Sequence, residues 1–104
     1  MTKKIPSISL YSESDPNFEK KTFDKSEVTI GRNETNDLVL AEDTISVKHA
    51  RLVYRNSHWW IEDLLSTNGT FLNDERVETH TILITGDELR FGNTVLVIDI
   101  NAVE

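Results

Sequence analysis

Apolar residues in this chain fall in short alternating runs or in blocks of four to six, separated by polar turn residues. Neither pattern has the three- and four-residue spacing of an amphipathic helix. Within 5–11, Ile8 and Leu10 alternate with Ser7 and Ser9, which predicts a first strand. Pro16 closes a polar turn, and 18–23 predicts a second strand. Val28-Thr29-Ile30 stops at Gly31, and Leu38-Val39-Leu40 follows a long polar loop. The stretches 49–54 and 58–62 flank Arg55-Asn56-Ser57 and read as a hairpin. Phe71-Leu72 leads into a second hairpin around Asn73-Asp74, and 78–84 is less regular. Leu89 and Phe91 point inward, and Thr94–Ile100 is apolar enough to lie in mid-sheet, where the first strand could pair with it. Turn signals every 8–12 residues or so predict an all-β sandwich of about ten or eleven short, mostly antiparallel strands, with no repeat or linker. Of Trp59 and Trp60, one ring must face in and one out. The outward ring is either a partner contact or a residue lying under a loop.

The 104 residues suit one domain with its own core, and the absence of cysteine removes disulfides, thiolate metal sites and thiol nucleophiles. No apolar run reaches the roughly 20 residues a membrane helix needs, and Lys3 and Lys4 have no apolar stretch behind them to make a secretory leader. The expectation is an intracellular, cytoplasmic domain. A formal charge of −7 argues against nucleic acid or anionic lipid and fits a partner carrying basic residues. His49, His58 and His80 lack metal spacing, so neither metal nor cofactor is expected. Ser46, His49 and Asp63 can be assembled on paper into a hydrolase triad, but there is no nucleophile elbow, and an enzyme is not expected.

Three loops carry most of the remaining polar chemistry: 31–37, 41–48 and 65–70. Asn68-Gly69 is a turn signal, and the last loop is either a plain strand connection or a place where Ser66, Thr67 and Asn68 offer hydroxyls and an amide to a ligand. If the three loops share one end of the sandwich, they gather Arg32, Ser46, Thr67 and Asn68. That set suits a phosphate: a guanidinium to grip two oxygens, hydroxyls for the others, and an amide able to donate and accept along a peptide backbone. Gly31 would let the chain turn and aim Arg32.

Gly31-Arg32, Ser46-x-x-His49 and Asn68-Gly69, in this order, resemble the signature of the forkhead-associated (FHA) domain, a phosphothreonine-binding β-sandwich of the FHA/SMAD type. The flanks Asn36-Asp37-Leu38, Asp63–Asn73, Arg76-Val77 and Gly86–Gly92 agree. The likeness covers 28–100, and 1–27 fits only in its strand pattern; the chain reads as one FHA-like domain, 1–104, of a kind often joined to other domains. The resemblance implies that Arg32, Ser46 and Thr67 contact the phosphate and that Asn68 bonds the peptide backbone. Gly31, His49 and Gly69 would be structural motif positions, with His49 holding the Ser46 loop. Asn33, Thr44 and Val47 occupy positions that tune specificity. Val47 departs from the Arg, Lys or Asn usual after the serine and offers only its backbone N–H, and the short neutral Thr44 speaks against an acidic preference. The implied function is phosphothreonine-dependent binding of a protein or peptide in signalling. The alternative is a phosphate-independent scaffold of the same fold. Acidic residues near the loops (Glu34, Asp37, Glu42, Asp43, Asp74 and Glu75) are either a solvated surface or a filter favouring targets with basic flanks. Phosphothreonine loses charge as pH falls through about 6, and binding should weaken with it.

Overall fold

The computed structural model describes residues 5–101. Met1–Lys4, read above for a leader, lie outside the described residues, as do 102–104. Eleven strands and no helix are present among the described residues: β1 Ile8–Tyr11, β2 Lys21–Phe23, β3 Glu27–Gly31, β4 Leu38–Val39, β5 Ala50–Arg55, β6 His58–Asp63, β7 Thr70–Leu72, β8 Glu75–Arg76, β9 Thr81–Leu83, β10 Glu88–Phe91 and β11 Thr94–Ile100. They form two sheets, ordered β2-β1-β11-β10-β7-β8 and β4-β3-β5-β6-β9. Every pairing is antiparallel except β3 with β4.

Alternation along the strands makes the core. Val28 and Ile30 of β3, Leu52 of β5, and Trp59 and Ile61 of β6 come from one sheet. Ile8 and Leu10 of β1, Leu89 and Phe91 of β10, and Leu96 and Ile98 of β11 meet them from the other. All are buried, and their contact is the hydrophobic stabilisation that holds the layers together. The apolar β11 does lie in mid-sheet and does pair with β1, Ile8 opposite Ile100. Trp59 faces the core and donates its indole N–H to Pro6 O at 2.9 Å. Trp60 faces out, covered by His80 with ring centroids 5.0 Å apart and by the Arg55 guanidinium at 5.3 Å.

Both two-residue hairpins take left-handed backbone at their turns: Asn56 and Ser57 at φ 50° and 67°, Asn73 and Asp74 at φ 49° and 70°. That geometry matches the strand twist, and Asn and Asp tolerate it. Several elements are shorter than the pattern predicts. The first strand begins at Ile8 rather than Ile5, the second at Lys21 rather than Phe18, and β5 at Ala50 rather than His49. The irregular 78–84 stretch contains β9, paired with β6. Among the described residues no helix is long and apolar enough to cross a membrane.

Candidate functional site

Three loops leave the same end of the sandwich: 32–37 after β3, 40–49 before β5, and 64–69 between β6 and β7. Backbone bonds lock the first to the second. Arg32 N donates to Ser46 O at 3.0 Å and Asn33 N to Val47 O at 3.3 Å. The two backbones approach so closely at Gly31 that a Cβ there would stand 2.2 Å from Val47 O and 2.7 Å from Asn36 Nδ2. Gly31 is therefore required by close packing and not, as the sequence led us to expect, by a sharp turn. Asn36 is buried beneath this seam and donates Nδ2 to Asn33 O and to Val47 O, each at 2.8 Å.

His49 locks the second loop to the third. Its Nδ1 accepts from Ser46 N at 3.0 Å, so the proton must sit on Nε2, which donates to Gly69 O at 2.9 Å. The buried ring also packs edge-on against Phe91, with centroids 5.7 Å apart. Backbone bonds from His49 N to Ile30 O and from Leu64 N to His49 O, both 2.9 Å, complete the clamp. With both nitrogens engaged by backbone groups, His49 bridges the second and third loops.

The third loop is built around Asp63. Its Oδ1 accepts from Ser66 Oγ at 2.6 Å and Thr70 Oγ1 at 2.8 Å, and its Oδ2 accepts from Ser66 N at 3.1 Å. Ser66 Oγ in turn accepts from Gly69 N at 2.9 Å. Ser66 is thus buried and engaged inside the loop, and it does not offer its hydroxyl outward. Gly69 takes φ 88°, as the Asn-Gly signal requires.

These clamps bring Arg32, Ser46, Thr67 and Asn68 together at the surface. Arg32 Nε donates to Ile45 O at 3.0 Å, which sets the plane of the guanidinium. The two terminal nitrogens have no hydrogen-bond partner among the described residues, leaving the pair that can grip an oxyanion. Ser46 Oγ accepts from Thr67 N at 3.0 Å, so its own O–H is left to donate elsewhere. The Thr67 side chain is exposed. Asn68 donates Nδ2 to Thr44 O at 2.8 Å, which fixes the amide and leaves Oδ1 to accept.

The three positions expected to tune specificity divide. Asn33 turns its side chain back to cap its own loop, with Oδ1 accepting from Thr35 N at 2.9 Å. Thr44 donates to Glu42 Oε1 at 3.2 Å and faces Gly92, where a Cβ would stand 2.2 Å from Thr44 Oγ1. Its carbonyl serves the site and its side chain turns away. Val47 stands exposed. Arg76, which sequence reasoning left among the flanks, reaches across from β8: a Cβ on Gly69 would lie 3.3 Å from its guanidinium carbon. It is a second cation beside the Asn68-Gly69 turn, found only because β8 pairs with β7. Ser46, His49 and Asp63 form no relay, since His49 meets the Ser46 backbone rather than its hydroxyl and Asp63 serves Ser66 and Thr70.

A family model described as the FHA domain matches residues 28–92. The chain belongs to the FHA domain family. FHA domain-containing protein FhaB of Mycobacterium tuberculosis is 43% identical over 75 residues, covering 72% of this chain and 48% of that protein. The chain thus spans about half the length of such curated relatives. A solved structure of M. tuberculosis EmbR in complex with a low-affinity phosphopeptide superposes with a TM-score of 0.86 at 26% identity, over 95% of this chain and 26% of EmbR. An FHA domain of an Arabidopsis thaliana hypothetical protein gives 0.87 at 26% identity, over 100% of this chain and 95% of that one.

Proposed function

We propose that this FHA domain is a phosphothreonine-dependent protein- or peptide-binding module and that Arg32, Ser46 and Thr67 hold the phosphate while Asn68 holds the peptide backbone beside it. The observation that carries this reading is the convergence of the Arg32 guanidinium, fixed by one bond and otherwise unpaired among the described residues, with the Ser46 hydroxyl oriented by Thr67 N. Phosphate brings nearly two negative charges and three acceptor oxygens, the complement of those donors. The solved EmbR structure, a complex with a low-affinity phosphopeptide in which part of the chain shares this fold, supports it.

Charge around the cup refines the target. Asp37 is paired with Lys25 and Thr29, and Glu42 with Thr44 and Thr94. Glu34 and Asp43 stay exposed in the first two loops, and they favour targets with Lys or Arg near the phosphothreonine.

Titration of a degenerate phosphothreonine peptide library, with phosphoserine and unphosphorylated controls, against wild type and Arg32→Ala tests the reading. Charge-assisted bonds contribute about 1.5–3 kcal/mol each, so Arg32→Ala should weaken phosphopeptide binding at least about tenfold. Wild-type protein that binds its partners equally before and after phosphatase treatment would instead be a phosphate-independent scaffold.

A further inference from the structure

Among the described residues five non-glycines take positive φ, and four of them form the two hairpin turns. The fifth is Leu65, at φ 56°. It is 97% exposed, in a protein that buries most of its large apolar side chains. Left-handed backbone is unfavourable for a leucine, and full exposure forgoes its burial. The loop nonetheless holds it there. Leu64 N is bonded to His49 O on one side, and Ser66 is tied through its backbone and hydroxyl to Asp63 on the other.

The same clamps place Leu65 next to the phosphate cup. Leu64 is bonded to His49, and Thr67 N to Ser46 Oγ, so 64–67 runs alongside 46–49 in the opposite direction. Val47, 43% exposed, stands on that second backbone, its carbonyl held by Asn33 N and Asn36 Nδ2. Two outward-held apolar side chains therefore border Ser46 and Thr67. Two residues span at most about 7 Å, so Leu65 reaches ligand positions within about three residues of whatever sits on Thr67.

We infer that Leu65, with Val47, is a specificity-determining apolar lip that selects targets carrying a large aliphatic side chain close to the phosphothreonine. The inference rests on the phosphothreonine reading of the site. An aliphatic ligand side chain covers Leu65 and gives it the burial it lacks in the free domain, while the strained loop cannot turn it inward. Exposed glutamate and aspartate nearby would exclude acidic neighbours, leaving a target that combines aliphatic and basic residues.

The test is a position-by-position scan of phosphothreonine peptides, Leu against Ser at each neighbouring position, titrated against wild type, Leu65→Asn and Arg32→Ala. Asparagine tolerates positive φ, so Leu65→Asn should fold at least as stably as wild type by thermal melting. Wild type should prefer Leu over Ser at one position by about five- to tenfold. Leu65→Asn should lose most of that preference while binding the serine peptide within about twofold of wild type, and Arg32→Ala should lose both peptides. Phosphate-dependent binding with no aliphatic preference, or with one that Leu65→Asn leaves intact, overturns the inference and leaves the phosphothreonine reading standing. Absence of phosphate-dependent binding by folded wild type overturns both.

Discussion

At the scale of single residues, the site depends on side chains that never reach its surface. Gly31→Ala would drive a methyl into Val47 O, a backbone atom that Asn33 and Asn36 already hold. The expected loss is about 1–3 kcal/mol in urea unfolding, with weaker phosphopeptide binding because Arg32 is displaced from Ser46. Stability within about 0.5 kcal/mol of wild type would show that the seam can part without cost. That the loops carrying Arg32, Ser46, Thr67 and Asn68 would meet was legible in the sequence, because their side-chain chemistry and spacing made them the natural group to bring together. By residue chemistry alone Ser66 matches Thr67, and the Asp63 carboxylate and Gly69 amide that engage its hydroxyl set it apart. Asn36 and Arg76 were not legible as site residues, because what they touch lies eleven residues away in one case and across a strand pairing in the other.

At the scale of elements, the loop between β3 and β4 is pinned at its far end by Asp37. Burial alone would raise that carboxyl's pKa. Hydrogen bonds from Lys25, the Thr29 amide and the Thr29 hydroxyl, together with the Lys25 charge, outweigh it and hold the pKa below the ordinary carboxylate value. The unfolded chain therefore takes up a proton at a higher pH than the folded one, so this contribution is full above the ordinary value near 3.9 and is lost as pH falls through the depressed one. Asp37→Asn should be less stable than wild type at neutral pH by about 1 kcal/mol or less, and the gap should close at acid pH. Urea melts at a series of pH values check this, and a gap that persists below pH ~2 would assign the effect to packing instead. Strand identity was largely legible, since alternation marks the inward faces and Asn-Ser and Asn-Asp mark the tight hairpins. Strand ends were not: 5–7 and 18–20 have strand-like residues but no partner strand beside them within the ladder. The parallel pairing of β3 with β4 leaves no local pattern at all.

At the scale of the whole molecule, the three clustered loops and the Ser7–Asn101 pair lie at opposite ends of the sandwich. Asn101 donates N–H to Ser7 O at 2.9 Å and Nδ2 to Ser7 Oγ at 2.8 Å, just beyond the Ile8–Ile100 pair, while β3, β5, β6 and β7 present the loops at the other end. A sequence can show that two strands are apolar enough to pair, but which end of the pair carries the loops emerges only from the closed sandwich. This arrangement also sets how the domain bears mechanical load. Tension applied through Ser7 and Asn101 pulls on the same end of two antiparallel neighbours, β1 and β11, and loads their cross-strand bonds one at a time from that end. Anchors moved to Ser12 and Asn101 would slide the two strands past each other and load the bonds together. Optical-tweezer unfolding should therefore need less force for the first pair of anchors than for the second, and equal forces would mean that rupture begins elsewhere. Under tension through Ser7 and Asn101 the β1–β11 ladder opens from the Ile8–Ile100 pair, at the end away from the three clustered loops.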